Sequence, residues 1–572
     1  MEKRMSAQKP NRHKTLDVSP VLIAGAGPTG LAAAMSLSRA GIPVRLVDKA
    51  PEPSPWSRAI GIQARTLELF EQHRLVEPFL ELGHRARTGN LYSNGQRLTQ
   101  LDFDPLQTRY PFLLFLDQSV TERLMTEHLE TFDVRVERGV ELIHFNQGSA
   151  GLEATLQHAN GAEEHVRPSY LIGADGAHST VRHGLNIEFT GKTFEQTFLL
   201  ADLHADTEWP DDEFHIFASG EGIATLFPMG GGRTRLIADQ RVAAQSPDAP
   251  DSLQKSAAPT LDECRELIAR RIHHRVTVTN LAWSSYFRLN NRMVDQMRSG
   301  RVFLAGDAAH VHSPAGAQGM NTGIQEAFNL GWKIARTLAG VASDRLLDTY
   351  HTERHPIERE VLRTSSFMTQ MAAAEHGPMK LIRDHVMPVL SAIGPLRDAA
   401  RRTVSELSVQ YRKSPLTLER GLDGGPRAGD RAPDAWVHVV DGPLGRAPGV
   451  GCLFDLHDPA YFSLFLMVKP SEDDDIALAP ATLTVAHALR DKELDELAKS
   501  VEEALPNSVR VWRITDKGDD GARSLTEAYG RTRPCFYLVR PDGYIAARGR
   551  APSDTQGLLR HCETWFGAGT EE

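Results

Sequence analysis

The sequence predicts an α/β protein of several domains. The chain has 572 residues, more than one compact core usually accommodates. Short apolar runs typical of buried parallel strands alternate with helix-like segments, as at 21–24, 31–39 and 44–48, and no internal repeat is evident. A stretch rich in Gly, Pro, Asp and Arg at 413–434 separates these segments from a final region with further strand-like runs.

Charge and cysteine usage disfavour several classes of protein. The formal net charge is −10 with both signs interspersed, whereas a nucleic-acid surface needs a basic patch. The cysteines at 264, 452, 535 and 562 form no C-x-x-C pair, so neither a zinc site nor a disulfide framework is predicted. The most apolar long stretch, 21–37, is interrupted by glycines and a proline, unlike a membrane span. We therefore expect a cytoplasmic protein with no metal, nucleic-acid or membrane partner.

A glycine-rich turn joins the first predicted strand to the first helix. Gly25, Gly27 and Gly30 form a G-x-G-x-x-G pattern. The first glycine permits a tight turn, the second lets the backbone approach a pyrophosphate, and the third allows close helix–strand packing. Asp48 ends the second strand, eighteen residues after Gly30, where a carboxylate binds ribose hydroxyls. This pattern predicts a dinucleotide site without distinguishing NAD from FAD; a glycine turn with no ligand is the alternative.

A second motif favours FAD over NAD. Gly306-Asp307-Ala308-Ala309-His310 follows the apolar run 301–305, at the carboxyl end of a predicted strand, where α/β sheets bind ligands. An aspartate there can bind a polyol hydroxyl, and FAD has a ribityl chain whereas NAD has none. The loop 313–321 leads into a helix whose dipole favours negative charge, as on a reduced flavin. The alternative is that Asp307 only caps a helix.

Taken together, these motifs resemble those of the single-component (class A) FAD-dependent aromatic hydroxylases. That group includes p-hydroxybenzoate and phenol hydroxylases, pentachlorophenol monooxygenase and polyketide ring hydroxylases. The resemblance extends from about residue 20 to 400 through six segments: 21–48, 57–68, 116–129, 173–182, 300–333 and 350–356. There are two departures. The usual Gly-Gly-Gln-Gly is Gly316-Ala317-Gln318-Gly319, and the Asp that often precedes Ala-Phe-Asn-Leu is Glu326.

The resemblance implies FAD as cofactor, NADPH or NADH as co-substrate and molecular oxygen as oxidant. It also implies hydroxylation of a phenolic or other electron-rich aromatic ring through a flavin hydroperoxide. Asp307 would hold the ribityl chain, and the segment 319–321 would contact the isoalloxazine. The full set of expected FAD contacts is Gly25, Gly27, Pro28, Thr29, Gly30, Asp48, Lys49, Arg58, Gln118, Asp175, Asp307, Pro314, Gly319, Met320 and Asn321.

The same resemblance implies a Rossmann-type FAD-binding domain with an inserted β-sheet substrate domain, followed by a thioredoxin-like α/β domain. The expected segments are a flexible tail (1–19), the FAD-binding domain (20–345) with its insertion (about 85–115 and 190–290), a helical segment (346–412), a linker (413–429) and the thioredoxin-like domain (430–572). Because Cys535 has no thiol near it in sequence, we expect no redox activity there. A homodimer is expected at the level of the family only.

The substrate-activating residues are harder to predict, because the cofactor carries the difficult chemistry. A base would make a phenol more nucleophilic. The region expected to line the substrate sheet, from about Phe198 to Tyr286, offers Asp202, His215 and Tyr286. His215 lies in an alternating strand pattern, Phe214–Phe217, and is the candidate base, with Arg58 as a second catalytic candidate. For His215 the alternative is a half-exposed strand histidine with no catalytic role.

Other flavoproteins share such a cofactor domain. A flavin-dependent halogenase is disfavoured, because no two of the seven tryptophans lie two positions apart, as a Trp-x-Trp-x-x-Pro signature requires. A reductase, a Baeyer–Villiger-type enzyme and a flavin-binding relative that shields an unstable intermediate stay open as alternatives. They differ from a hydroxylase in their oxygen chemistry, which leaves no residue signature.

Overall fold

The structure is a computed structural model. It describes residues 15–55, 59–240, 258–313, 316–372, 382, 393–443, 449–468, 480–516, 524–530, 534–550 and 552–567. Within these ranges, no helix combines the length and the apolar character needed to cross a bilayer.

Strands and helices alternate through most of the described chain. The strands are β1 (Val21–Ala24), β2 (Val44–Asp48), β3 (Gly61–Ile62), β4 (His84–Ala86), β5 (Thr88–Ser93), β6 (Gln96–Asp102), β7 (Leu113–Phe115), β8 (Val136–Arg138), β9 (Val140–Gly148), β10 (Gly151–His158), β11 (Glu163–Val166), β12 (Leu171–Gly173), β13 (Thr190–Thr207), β14 (Glu213–Ser219), β15 (Gly222–Gly230), β16 (Arg233–Gln240), β17 (Val276–Met293), β18 (Arg298–Ser299), β19 (Val302–Leu304), β20 (His310–Val311), β21 (Leu418–Glu419), β22 (Trp436–Asp441), β23 (Gly449–Cys452), β24 (Phe462–Met467), β25 (Val509–Asp516), β26 (Cys535–Val539) and β27 (Ile545–Arg550). The helices are α1 (Pro28–Arg39), α2 (Ala64–Gln72), α3 (Val76–Leu82), α4 (Gln118–Glu130), α5 (Thr180–Gly184), α6 (Leu261–Arg271), α7 (Gly319–Leu338), α8 (Arg345–Ala372), α9 (Gly394–Val404), α10 (Leu453–Leu456), α11 (Pro480–Ala504), α12 (Leu525–Tyr529) and α13 (Thr555–Trp565), with a 3-10 turn at Gly306–Ala308.

The first sheet contains the predicted strand–helix–strand unit. Its order is β18-β19-β12-β1-β2-β8, and every neighbouring pair except β18–β19 is parallel. Strands β1, β12 and β19 are buried at every residue, as expected for parallel strands covered on both faces. Because parallel strands end at the same edge, the glycine turn after β1, Asp48, Asp175 and the Asp307 turn all lie at that edge.

A second, mostly antiparallel sheet has the order β20-β17-β13-β16-β15-β14-β5-β6. One face packs against the core of the first sheet, where Phe214 and Phe227 lie 6.0 and 5.4 Å from Phe115, centroid to centroid. The opposite face is covered by α6, whose Leu267 shares a core with Phe217. The sheet therefore has a face toward the glycine-turn domain, called here the inner face, and an outer face beneath α6.

The C-terminal sheet has the order β21-β27-β26-β24-β25-β22-β23. Strands β24 and β25 are parallel and are joined through α11, while β26 and β27 form an antiparallel hairpin beside β24. Within the segment 413–429, predicted as a linker, β21 pairs with β27 and Leu416 is completely buried. The Gly/Pro-rich composition of this segment reflects tight turns that are packed against the sheet.

Of the predicted flexible tail, 1–19, the structure describes residues from 15 on. The Leu16 N–H donates to Gly41 O at 2.9 Å, and the Leu16 side chain packs against the core of the first sheet.

A buried charge network joins the C-terminal sheet to α7 and α8. Arg540 contacts Glu353 of α8 (Nη1–Oε1 2.6 Å) and donates to Asp542 (Nε–Oδ1 3.0 Å). Lys333 of α7 donates to Glu353 (Nζ–Oε2 2.7 Å). None of these four side chains is more than 4% exposed. This set, Arg540, Asp542, Glu353 and Lys333, is called the interface network.

Candidate functional site

The three glycines of the first turn have different surroundings. Gly25 has φ +100°, and a Cβ there would lie 2.2 Å from Ala174 O. A Cβ on Gly30 would lie 1.9 Å from Gly25 O, so this glycine permits the close packing of α1. A Cβ on Gly27 would meet nothing within 4 Å. Close contacts within the protein thus require glycine at positions 25 and 30, whereas the space beside Gly27 is open to a ligand.

Two helices begin at this edge without a side-chain cap. Neither α1 nor α7 has a capping hydrogen bond or an acidic residue in its first turn. The Thr29 side chain lies between them: a Cβ on Gly306 or on Gly323 would approach its Oγ1 to 2.5 or 2.3 Å. The first turn of α1, the Asp307 turn and the first turns of α7 therefore form one continuous surface. Uncapped helix N-termini favour an anionic ligand.

Asp48 and Asp175 border the glycine turn. Asp48 accepts hydrogen bonds from the N–H groups of Ala26 (2.7 Å) and Ala50 (2.8 Å), and its side chain keeps 18% exposure. Asp175 Oδ2 accepts from Val181 N (3.2 Å), while its buried Oδ1 has no hydrogen-bond partner among the described residues. Burial raises the pKa of Asp175. An unpaired acceptor beside the turn suits the hydroxyl or N–H donors of a dinucleotide.

A buried ionic network supports the Asp307 turn from below. Glu326 accepts from Gly306 N (2.7 Å) and contacts His310 Nε2 (3.0 Å). Glu358 lies 3.3 Å from His310 Nε2 and accepts from Arg354 (2.8 Å). Although burial alone would lower it, Glu326 and Glu358 raise the pKa of His310 to about 9. Glu326, Glu358 and His310 are residue types that ligate metals; here the cations of His310 and Arg354 face the carboxylates. Asp307 itself is exposed at the site.

The loop before α7 is fastened to β3 by Asn321. Asn321 Nδ2 donates to Gly61 O and Ala317 O, both at 2.8 Å, and its Oδ1 accepts from Gln63 N at 3.0 Å. The side chain predicted to contact the cofactor ring is thus fully engaged with the protein. Gly319 and Met320 occupy the first turn of α7. Ala317, at a glycine position of the family pattern, adopts φ +53°.

The remaining predicted residues fall into three groups. Pro28 begins α1, and Lys49 is exposed beside Asp48. Gln118 begins α4, where its Oε1 accepts from Ala59 N at 3.3 Å. Arg58 and Pro314 lie outside the described residues.

His215 is not placed to act as the substrate base. It lies on the outer face of the second sheet, stacked on Trp209 at 4.2 Å, whereas its neighbour Phe214 faces the glycine-turn domain. The side chain is 3% exposed and neither ring nitrogen has a hydrogen-bond partner among the described residues. Burial, assisted by His274, lowers the pKa of His215 to about 4. The alternation that indicated a strand was correct, but alternation alone could not identify which face of the strand packs beneath α6.

An ionic cluster on the inner face was not predicted from the sequence. Arg235, completely buried, binds Asp202 with Nε–Oδ1 2.6 Å and Nη2–Oδ2 2.7 Å. Its Nη2 also lies 3.6 Å from Asp117, the N-cap of α4, which accepts from Arg233 at 2.8 Å. The sequence contained one sign of this cluster: Arg235 is a charged residue at an inward-facing position of the alternating strand 233–240. The cluster connects the second sheet to the helix that begins with Gln118.

A buried carboxyl group beneath α7 makes stability depend on pH. Glu406 contacts Gln325 and accepts from Thr322 Oγ1 (3.2 Å). Burial raises the pKa of Glu406 to about 8. A raised carboxyl pKa favours the folded state most below the unfolded value, about 4.3, and that stability is lost as the pH rises through about 8.

Glu406→Gln is therefore expected to unfold at nearly the same temperature as the unmodified chain at pH 5 and several degrees higher at pH 8.5. Thermal unfolding across this range measures the difference. A constant difference at all pH values would show that Glu406 is not the titrating group. Glu127→Gln, at an exposed position of α4, is the matched control.

The fold and this edge define a dinucleotide-binding flavoprotein. Residues 18–365 match the model of the FAD-binding domain family, and 472–569 match the C-terminal domain of aromatic-ring hydroxylases. The chain belongs to the family of FAD-dependent aromatic-ring hydroxylases and is a monooxygenase. FAD and oxygen are its cofactors, with NAD(P)H as the reductant in this family.

Individual relatives agree with this membership. The 6-methylpretetramide 4-monooxygenase of Streptomyces rimosus is 34% identical, over 94% of this chain and 92% of the relative. Pentachlorophenol 4-monooxygenase of Sphingobium chlorophenolicum is 34% identical over 92% and 93%. The solved structure of the anhydrotetracycline hydroxylase OxyS of Streptomyces rimosus has a TM-score of 0.72 at 29% identity, covering 96% of this chain and 99% of that one.

Proposed function

We propose that the protein hydroxylates a phenolic or other electron-rich aromatic ring that lies between bound FAD and the inner face of the second sheet. The observation that carries this proposal is the continuous surface joined by Thr29, whose Asp307 turn leads directly into β20 at the edge of the second sheet. Two open helix N-termini and the Asp307 turn suit a long dinucleotide. The sheet beside them offers an apolar surface for a ring.

The residues present fit FAD. Gly27 leaves space for the pyrophosphate, and the first turn of α1 supplies N–H groups toward it. Asp48 and Asp175 would accept hydrogen bonds from the adenosine part of FAD. Asp307 would accept hydrogen bonds from the ribityl hydroxyls. The first turn of α7, at Gly319-Met320, would lie against the pyrimidine side of the ring and favour negative charge there.

An apolar patch on the inner face is the proposed location of the aromatic ring. Phe198 and Leu289 are buried there, with partly buried Ile223, Ile237 and Phe287 packed around them. The five side chains of this patch are apolar and would exclude water from a bound ring. Excluding water strengthens each electrostatic contact at the reacting atoms.

The bound flavin supplies oxygen activation, and the protein supplies position and charge. Arg235, held by Asp202 and Asp117, would fix the spacing between the patch and the cofactor edge, because its guanidinium links the two domains. The phenol proton has no assigned acceptor: His215 lies on the far face, and Asp202 and Asp117 are held in ion pairs with arginine.

We also propose that the C-terminal region is thioredoxin-like. The parallel pair β24–β25 joined by α11, with the hairpin β26–β27 alongside, supports this assignment. All four cysteines are buried and free, so the proposed role of the region is structural.

The proposed function is tested with purified protein loaded with FAD. NADPH or NADH oxidation is measured with and without a panel of phenols, and products are analysed by mass spectrometry. Oxidation accelerated by a phenol, with one oxygen added to it, is the expected result. A reductase would oxidise the nicotinamide without adding oxygen, and a shielding protein would bind FAD and do neither. If the protein does not bind FAD, the proposed function is wrong.

Gly27→Val is expected to weaken FAD binding by about 100-fold or more while leaving the apoprotein folded. The side chain would occupy the open space where the pyrophosphate is proposed, and φ −75° at this position suits valine. Flavin fluorescence titration measures the affinity, and circular dichroism checks the fold. Gly148→Val, at the exposed end of β9 where a Cβ would meet nothing within 4 Å, is the matched control for loss of a glycine. Unchanged FAD affinity would move the pyrophosphate elsewhere.

A further inference from the structure

A solvent-open groove of about 750 Å³ lies between the beginning of β13, the end of β17 and α8. Asn291 and Met293 of β17 form its floor, and one side of α8 forms a wall. The Asn291 side chain donates to Leu362 O of α8 at 3.3 Å, so the strand and the helix are in direct contact there.

The groove continues the apolar patch along the same strand. Successive side chains of a strand alternate between faces, so Phe287, Leu289, Asn291 and Met293 project from the inner face together. At about 3.3 Å per residue, Asn291 lies about 7 Å and Met293 about 13 Å from Leu289 along β17. A flat ligand of two or more fused rings would therefore reach from the patch into the groove.

Positive charge predominates in the groove. Lys192, Arg359 and Arg363 line it, and Asp295 is the one acidic residue among its lining residues. Arg359 and Arg363 are four residues apart in α8 and so share one helix face. His355 is held by Val294 O (3.2 Å), and Arg359 Nη2 approaches its Nδ1 (3.4 Å). Like charges gathered on one wall favour an anionic ligand group.

The groove also contains an exposed aromatic side chain. Phe367 follows Arg363 by four residues on the same wall and is 43% exposed, while Met293 and Leu362 supply further apolar surface. A phenyl ring next to two guanidinium groups suits a planar aromatic ligand that carries an acidic substituent.

We infer that this groove binds the acidic end of a multi-ring aromatic substrate whose reacting ring lies on the apolar patch. The inference rests on the proposed function and narrows its substrate class. It assigns the carboxylate or acidic hydroxyl group to Lys192, Arg359 and Arg363, and the outer ring to Phe367. A single-ring phenol would occupy the patch without reaching these groups.

The test uses the FAD-loaded, full-length protein and a matched pair of probes, 6-hydroxy-2-naphthoate and its methyl ester. Binding to the resting enzyme is followed by the change in flavin absorbance, which needs no turnover. The variant Arg359→Gln/Arg363→Gln is compared with the unmodified chain and with Arg167→Gln, an exposed arginine far from the groove. The dependence of anaerobic flavin reduction on NADPH concentration is measured for all three.

The double variant is expected to bind the naphthoate about fivefold or more weakly, because it loses two partly exposed ion pairs with the carboxylate. Its affinity for the ester and the NADPH dependence of its flavin reduction are expected to stay unchanged. Equal binding of acid and ester by the unmodified chain, or binding of neither, would overturn the groove assignment. A higher NADPH requirement instead would assign the groove to the phosphates of the dinucleotide. The proposed function fails separately, if no phenol of any kind accelerates NADPH oxidation.

Discussion

Replacing Arg540 by methionine is expected to destabilise the protein by about 3–5 kcal/mol. The guanidinium is 1% exposed and contacts Glu353 and Asp542, both buried. Without it, Lys333 alone would face two buried carboxylates, and an uncompensated buried charge is costly. Urea unfolding, monitored by tryptophan fluorescence, measures the loss.

Arg74→Met is the matched control, because Arg74 forms an ion pair with Asp455 in which both side chains are about 40% exposed (43% and 40%). Its loss is expected to cost less than about 1 kcal/mol. If Arg540→Met and Arg74→Met destabilise the protein equally, the interface network is not the strong connection that its burial indicates.

The second large effect is expected at Glu326. Glu326→Ala removes the acceptor for Gly306 N and one of the two carboxylates that face His310. We expect a loss of about 3–5 kcal/mol in stability and FAD binding weakened by at least about tenfold, because the Asp307 turn loses its support. Unfolding experiments and flavin titration measure the two effects separately.

Glu326→Asp keeps the charge with a shorter reach and is expected to restore most of the FAD affinity. The raised pKa of His310 gives a further readout. The stabilising contribution of protonated His310 is present below about pH 6.5 and is lost as the pH rises through about 9. The alanine variant should therefore lose this pH dependence of stability. Full FAD affinity in Glu326→Ala would mean that the Asp307 turn needs no support from below.

The sequence predicts the cofactor side of the site better than the substrate side. Gly25 and Gly30 are constrained by local geometry, and local geometry is encoded in short patterns. The pairing of Arg235 with Asp202 and Asp117 depends instead on which strands become neighbours, and residues far apart in sequence determine that. His215 illustrates the limit: alternation identifies the strand, but the outward face follows only from the packing of α6.

The packing of the predicted linker and the contacts of Asn321 also could not be read from short sequence patterns. Glycine and proline indicate turns in 413–429, yet a turn on the surface and a turn pressed against a sheet have the same composition. Asn321 was expected at the cofactor ring from its motif. In the structure its amide joins the loop to Gly61 and Gln63, a contact across some 260 residues of chain, and its contact with the cofactor stays a prediction.

The interface network has a consequence for how the protein is made. A ribosome releases the glycine turn, α7 and α8 well before it reaches Arg540, near the end of the 572-residue chain. Until then Glu353 and Lys333 lack the partner that completes their burial. The cofactor domain of a nascent chain therefore finishes folding only after Arg540 has been synthesised, and a chain cut before β26 should be an aggregation-prone fragment rather than a smaller flavoprotein.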